Sequence, residues 1–202
     1  MKIGITGGIG SGKTYICNLL EGQGFPVYNC DDEAKRLMVE NREIIDNLRA
    51  LIGQDAYAEK NTEEGKTTYS LNKPLIASYL FANPDNASRI NAIVHPVVKT
   101  DFNDWAERQR TKHCFMECAI LFESGFETAV DKTVLIYADE ERRLHRAMKR
   151  DSASQQQIRN RMRQQISGEE AKLKADYIFD HNEYSTTDEE MTKLLQWINN
   201  LK

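Results

Sequence analysis

The residues best suited to chemistry lie near the start of the chain. Gly7-Gly8-Ile9-Gly10-Ser11-Gly12-Lys13-Thr14 satisfies the pattern G-x4-G-K-S/T. Four glycines permit backbone angles closed to other residues, so successive N–H groups can turn inward around phosphate oxygens. A helix starting at Lys13 adds its unpaired amides and positive dipole end. Lys13 can then reach the β- and γ-phosphates of a nucleotide, and the Thr14 hydroxyl can ligate Mg²⁺. A second group follows an apolar run: Asp31 or Asp32 can take a proton from an attacking hydroxyl or hold Mg²⁺ through water. One of the two can instead cap a helix over 33–39. A third group is basic. Arg142, Arg146 and Arg150 share a helical face, and Arg159 and Arg163 repeat the four-residue step with Arg161 and Gln165 alongside. Guanidinium forks suit a triphosphate, although most residues of such a run are solvated.

These residues need a frame. Apolar runs at 2–6, 26–29, 115–121, 133–137 and 177–179 are short and do not alternate, as expected of strands buried on both faces of a parallel sheet. Helical segments between them give a βα rhythm. The expectation is an α/β protein with the P-loop NTPase fold, a five-stranded parallel sheet with helices on both faces, and helical acceptor-binding and lid insertions. It is read as a single unit over 1–202. The core spans about 1–39, 113–139 and 175–202, an acceptor-side insertion about 40–112 around a polar loop at 54–69, and a basic lid about 140–174. The pairs Ser154/Gln157, Ser167/Glu170 and Thr187/Glu190 are candidate capping boxes, and Asn83-Pro84 a candidate helix start. The last of the boxes opens an amphipathic C-terminal helix that can pack on the core or pair with a partner, so the oligomeric state stays open.

Composition narrows the function. An apolar fraction of 40%, a charged fraction of 29% and a net charge of −4 suit a soluble globular protein and give no surface for nucleic acid or anionic membrane. The N-terminus lacks the apolar run of a signal peptide, and no stretch is long and apolar enough to span a bilayer. Cys17, Cys30, Cys114 and Cys118 are too scattered for a disulfide scaffold, consistent with a cytoplasmic protein. His113-Cys114-x3-Cys118 reads as a buried strand rather than a metal site. The guanine-reading N-K-x-D pattern is missing, Asn72-Lys73-Pro74-Leu75 lacking its acid, and the chain is small for a motor. A small-molecule kinase with a water-excluding lid fits best.

The extended motif Thr6-Gly7-Gly8-Ile9-Gly10-Ser11-Gly12-Lys13-Thr14 resembles the opening of dephospho-CoA kinases. The family's D-A-D falls on Asn29-Cys30-Asp31, with Asn29 replacing the first acid. Ile90-x2-Ile93-x-His95-Pro96 is similar to its L-x-x-I-x-H-P helix end, and Ala119-Ile120-Leu121-Phe122-Glu123 to its P-L-L-F-E. Arg146-x3-Arg150-Asp151 and Arg161-x3-Gln165 resemble its lid motifs, and the run from Ala175 to Asn182, with His181 as a departure, its C-terminal motif. The resemblance implies ATP binding by Gly8, Ile9, Gly10, Ser11, Gly12, Lys13, Thr14, Tyr15, Arg146, Arg161 and Asn182. It implies catalysis by Asp31 as base with Lys13, Arg146 and Arg150, and acceptor contacts from Asp31, His95, Phe122 and Glu123. The implied reaction moves the γ-phosphoryl of ATP to the ribose 3′-hydroxyl of dephospho-CoA. Another P-loop kinase for a nucleoside, nucleotide or small metabolite is the alternative. A nucleotide-gated binding module without transferase activity is a further one.

Overall fold

Isoleucines at alternate positions of the first strand, Ile3 and Ile5, are fully buried, and the sheet is built outward from them. The structure is a computed structural model, and it describes residues 1–61 and 67–201. In chain order, its strands are β1 (Lys2–Thr6), β2 (Val27–Asn29), β3 (Tyr57–Asn61), β4 (Thr67–Leu71), β5 (Cys114–Glu117), β6 (Lys132–Tyr137) and β7 (Tyr177–Asp180). The helices are α1 (Lys13–Gly22), α2 (Cys30–Glu40), α3 (Arg42–Ile52), α4 (Lys73–Ala82), α5 (Asn86–Glu107), α6 (Glu140–Asp151), α7 (Gln155–Met162), α8 (Gly168–Lys174) and α9 (Thr187–Asn199). Residues Met1–Tyr28 with Arg108–Lys202 form one unit, and Asn29–Glu107 form a second.

The first unit holds the five-stranded sheet, in the order β2-β5-β1-β6-β7. β1 pairs in parallel with β5 on one side and β6 on the other, placing Ile5 opposite Glu117 and Val134. β2 is therefore not a neighbour of β1, because β5 lies between them. Ile3, Ile5, Phe115, Val134, Ile136 and Phe179 form one cluster with Ile16 and Leu20 of α1 and Met191, Leu194 and Ile198 of α9. Fully burying each such side chain is worth about 1.5–3 kcal/mol. On the opposite face Gly4 leaves room for Leu121, whose methyl would stand 3.0 Å from a β-carbon there. The strand expected over 115–121 stops at Glu117: Cys118 N–H still bonds to Ile5 O of β1 (2.9 Å), and beyond it the chain curls, Ser124 N–H reaching Ile120 O. All four thiols are buried.

The second unit packs α2, α3, α4 and α5 around Leu37, Ile44, Ile45, Leu48, Ile90, Val94, Val98 and Phe102. Asparagines start its helices: the side chains of Asn29, Asn41 and Asn72 accept from the N–H groups of Asp32, Ile44 and Leu75. The cap of α2 is thus Asn29 rather than an aspartate. Within 54–69, read from sequence as a polar loop, β3 and β4 form an antiparallel pair that puts Tyr57 opposite Leu71. Residues 62–66 of that loop lie outside the described residues. Arg49 sits 5.4 Å from the Tyr69 ring and 2.8 Å from Glu59, so cation–ring contacts replace an apolar face.

Three helix signals resolve differently from expectation. Asn83 accepts from Asp85 N–H in a turn, and α5 starts later, at Asn86. α5 runs through Pro96 to Glu107 instead of ending there. Its buried residues Ile90, Val94, Val98 and Phe102, four apart, offset the roughly 3 kcal/mol cost of an internal proline. Thr187 is the first residue of α9, not its cap, and three acids in the first turn answer the dipole instead. The Ser154 box forms both of its bonds, and Ser167 caps α8. Among the described residues, no helix is long and apolar enough to cross a membrane.

Candidate active site

The loop after β1 is closed by its own backbone: Ser11 N–H donates to Gly8 O (3.0 Å), and the Lys13 ammonium spans it to Gly7 O (2.7 Å). Gly10 (φ 79°) and Gly12 (φ 97°) occupy left-handed conformations. Both are also crowded. A β-carbon on Gly10 would stand 2.1 Å from Arg143 O, and one on Gly12 2.4 Å from the His181 ring. Gly12 is the residue preceding α1, so the free amides of the first helical turn face the space the loop encloses.

The strand beside β1 supplies an acid that sequence reading passed over. Thr14 Oγ1 donates to Glu117 Oε1 at 2.7 Å, and Glu117 is buried. A hydroxyl in the first turn of α1 beside a carboxylate at the end of β5 forms a hard-oxygen pair of the kind that holds Mg²⁺ in phosphate-loop proteins. Glu117 had been read as one residue of an apolar run. The signal was its position, a lone acid ending a strand that must lie on the ligand edge. The same carboxylate, after burial itself, pushes the neighbouring Cys17 thiol up and keeps it protonated.

The segment 140–174 reaches the loop through Gln165 of the lid motif and Arg143, rather than through the predicted arginines. Gln165 Oε1 accepts from Ile9 N–H at 2.8 Å, and its amide donates to Ala119 O at 3.2 Å. Ile9 packs against Leu144, Ala147, Ile158 and Met162. Arg143 lies over the loop, its Nη1 at 1.8 Å from where a Gly8 β-carbon would be. Among the described residues its guanidinium has no hydrogen bond or ion pair, and burial lowers its pKa. Phe122 and Glu123 line the same cavity as Gly8, Arg143 and Gln165. Glu123 Oε1 accepts from Ile166 N–H at 3.0 Å and so fastens this segment to the end of β5's connection. Arg143 was legible only as the residue one helical turn before Arg146, on a face already crowded with arginines.

The predicted arginines are engaged within the protein. Arg146 donates to the carbonyls of His181 (2.9 Å) and Asn182 (3.0 Å) and lies 4.5 Å over the Tyr184 ring. Arg150 and Arg161 both bind Asp151, at 2.7 and 2.8 Å, and the Arg150 hydrogen bond, then that of Arg161, lowers its carboxyl to about 2. Arg159 is paired with Glu140 and Glu141 at the surface. Asn182 Oδ1 accepts from Asp139 N–H (2.8 Å), and the exposed Tyr15 ring stacks on His181 at 5.7 Å. A broad groove beside them is lined by Arg142, His145, Arg146, Asn182 and Tyr184.

Asp31 and His95 belong to the second unit. Asp31 is exposed in the first turn of α2, while Asp32 is tied to Lys35 at 2.8 Å. His95 is half-buried within α5, and burial, reinforced by Lys99, lowers its pKa and favours the neutral ring. The structure therefore brings Gly8, Ile9, Gly10, Ser11, Gly12, Lys13, Thr14, Phe122 and Glu123 together with Gln165 of the lid motif and the unpredicted Glu117 and Arg143.

The family model described as "Dephospho-CoA kinase" matches residues 1–188. A dephospho-CoA kinase of Bacteroides fragilis is 44% identical over 182 residues, covering 88% of this chain and 83% of that one. One from Salinibacter ruber is 37% identical, covering 89% and 88%. The solved dephospho-CoA kinase from Campylobacter jejuni superposes with a TM-score of 0.68 at 25% identity, covering 98% of both chains. A phosphate loop with its acid partner, a basic helical segment over it, and matches of this extent lead to one conclusion: the chain belongs to the dephospho-CoA kinase family.

Proposed function

We infer that this protein transfers the γ-phosphoryl group of ATP to the ribose 3′-hydroxyl of dephospho-CoA, giving CoA and ADP. Family membership carries the choice of acceptor, and the loop with Lys13 and the Thr14–Glu117 pair carries the choice of phosphoryl chemistry. Lys13 and the amides of Gly8, Ile9, Gly10, Ser11 and Gly12 bind the phosphates, and the first turn of α1 adds its dipole. Thr14 and Glu117 would hold Mg²⁺, which when bound would neutralise phosphate charge. Arg143, poised over Gly8, meets charge that spreads onto the transferred group. Gln165 and Glu123 hold the lid segment against the loop so that water is excluded. Asp31 takes the proton of the acceptor hydroxyl, and His95 and Phe122 contact the acceptor. Arg146, Tyr15 and Asn182 serve the nucleotide, Arg150 and Arg161 order the lid through Asp151, and the reaction takes place in the cytoplasm.

Purified protein supplied with ATP and Mg²⁺ is expected to release ADP with dephospho-CoA and not with AMP, adenosine or other nucleosides. Preference for a nucleoside would refute the acceptor assignment. ATP binding without acceptor-dependent ADP would refute the transferase. Asp31→Ala is expected to lower kcat far more than ATP affinity; unchanged turnover would remove Asp31 as the base.

A further inference from the structure

His181 departs from the family pattern, and its ring lies directly behind the phosphate loop. It is fully buried at the end of β7. Nδ1 is 2.7 Å from Ser11 O. A carbonyl oxygen can only accept, so Nδ1 carries the hydrogen, and the bare Nε2 is buried without a partner among the described residues. The ring is held rigidly. The His181 backbone N–H donates to Tyr137 O at 2.7 Å, Arg146 donates to its backbone carbonyl at 2.9 Å, and Tyr15 and Tyr184 enclose the ring at 5.7 and 4.9 Å.

The peptide it fastens is trans, since the described chain has no cis bond. In a planar trans peptide the carbonyl and the next N–H point in opposite directions. With Ser11 O directed back at His181, the Gly12 N–H is directed away from it, toward the enclosed side of the loop. Gly12 populates either sign of φ readily, so an unfastened Ser11–Gly12 peptide is free to flip and present its carbonyl oxygen there instead. An oxygen in that place repels phosphate.

We propose that His181 is a positioning residue for ATP: its Nδ1–H holds the Ser11–Gly12 peptide in the orientation that offers the Gly12 amide to a phosphate oxygen. Protonation at Nε2 would bury a second positive charge beside Arg146, so the ring works as the neutral tautomer. The proposal rests on the loop being the ATP site, and wild-type turnover of ATP with dephospho-CoA, measured alongside, tests that reading separately.

The test separates ring from donor. His181→Phe keeps an aromatic ring against Gly12 and removes the N–H; His181→Asn removes the ring and keeps an N–H donor. Loss of the fastening lowers the fraction of molecules competent to bind, which raises apparent KM without changing the saturated rate. For His181→Phe we expect KM for ATP to rise about tenfold, with kcat within about threefold and KM for dephospho-CoA unchanged. His181→Asn is expected to return KM for ATP to within about threefold of wild type. Thermal melting without nucleotide monitors folding. Should His181→Phe not fold, His181→Leu and His181→Asn, nearly equal in shape, replace it, with only Leu weakening ATP. Wild-type KM for ATP in Phe or Leu, equal impairment in Asn, or an equal rise in KM for both substrates would overturn the proposal.

Discussion

Gly8 and Gly10 stand two residues apart in the same loop, yet replacing each with alanine is expected to damage different properties. At Gly8 the added β-carbon meets Arg143 Nη1 at 1.8 Å and Cζ at 2.9 Å, the tip of a flexible side chain, and φ lies outside the left-handed region. The guanidinium can swing aside, so Gly8→Ala costs about 1 kcal/mol or less of stability, roughly 2–4 °C in Tm. The swing removes the charge from the loop, and losing one charge-assisted contact to the transferred group lowers kcat about 10- to 100-fold. At Gly10 the β-carbon meets Arg143 O at 2.1 Å and its carbonyl carbon at 2.8 Å, backbone atoms that cannot rotate away. A left-handed φ of 79° adds about 1–2 kcal/mol and the overlap about 1–3. Gly10→Ala is thus expected to lower Tm by roughly 5–15 °C. Calorimetry of the nucleotide-free protein and coupled ADP-release kinetics read the two effects. In an Arg143→Ala background, Gly8→Ala is expected to cost almost nothing further in kcat, because the two changes act on one contact. Equal losses of Tm at the two sites, or additive losses of kcat in the double variant, would refute the reasoning.

Glu117→Gln keeps an oxygen for the Thr14 hydroxyl and removes the charge, so the Mg²⁺ needed for half-maximal ADP release is expected to rise about tenfold; an unchanged titration would take Glu117 out of the metal site. Gln165→Ala leaves Ile9 N–H and Ala119 O without their partner, a loss of about 1–3 kcal/mol, and hydrogen exchange at the Ile9 amide should accelerate accordingly. Asp151 has a carboxyl lowered in the folded state, so its contribution is complete above its unfolded pKa near ~4 and disappears as pH falls toward 2. The stability difference between wild type and Asp151→Asn should be flat above pH 5 and shrink between about pH 4 and pH 2; a difference that changes near neutrality would contradict the assignment.

The sheet was readable because its strands are short unbroken apolar runs, buried on both faces in β1 and β6 and on one face in the edge strand β7, and 2–6, 133–137 and 177–179 lie within a residue or so of these three. The β3–β4 pair was not, because apart from Tyr57 the residues of β3 are exposed and arginine–tyrosine contacts take the place of an apolar stripe. Pro96 misled for a related reason: a local rule about proline cannot see the four buried side chains that carry α5 through it. At the site, Lys13 and Thr14 were legible from spacing alone. Glu117 was hidden by the apolar run around it, and its role depends on β5 lying beside β1, which chain order does not reveal. Arg143 was hidden among equals. The face that α6 turns toward a loop more than a hundred residues earlier in the chain decides which arginine lies over Gly8 and which ones bind Asp151.

Strand order also sets a timetable. β1 is the central strand of the sheet and leaves the ribosome well before both of its partners, β5 and β6, which lie beyond residue 113. At typical rates of synthesis, about 5–20 s pass before β5 emerges. For that interval Ile3 and Ile5 belong to an apolar strand with two open edges, a template for wrong pairing or for a chaperone. The stretch made meanwhile, Asn29–Glu107, is continuous and carries its own core, so it can fold before the sheet exists. The phosphate loop, by contrast, is completed only by later segments of the chain: Glu117 must arrive for Thr14 and His181 for Ser11. A motif translated before all of its partners is thus completed only when the last of them emerges.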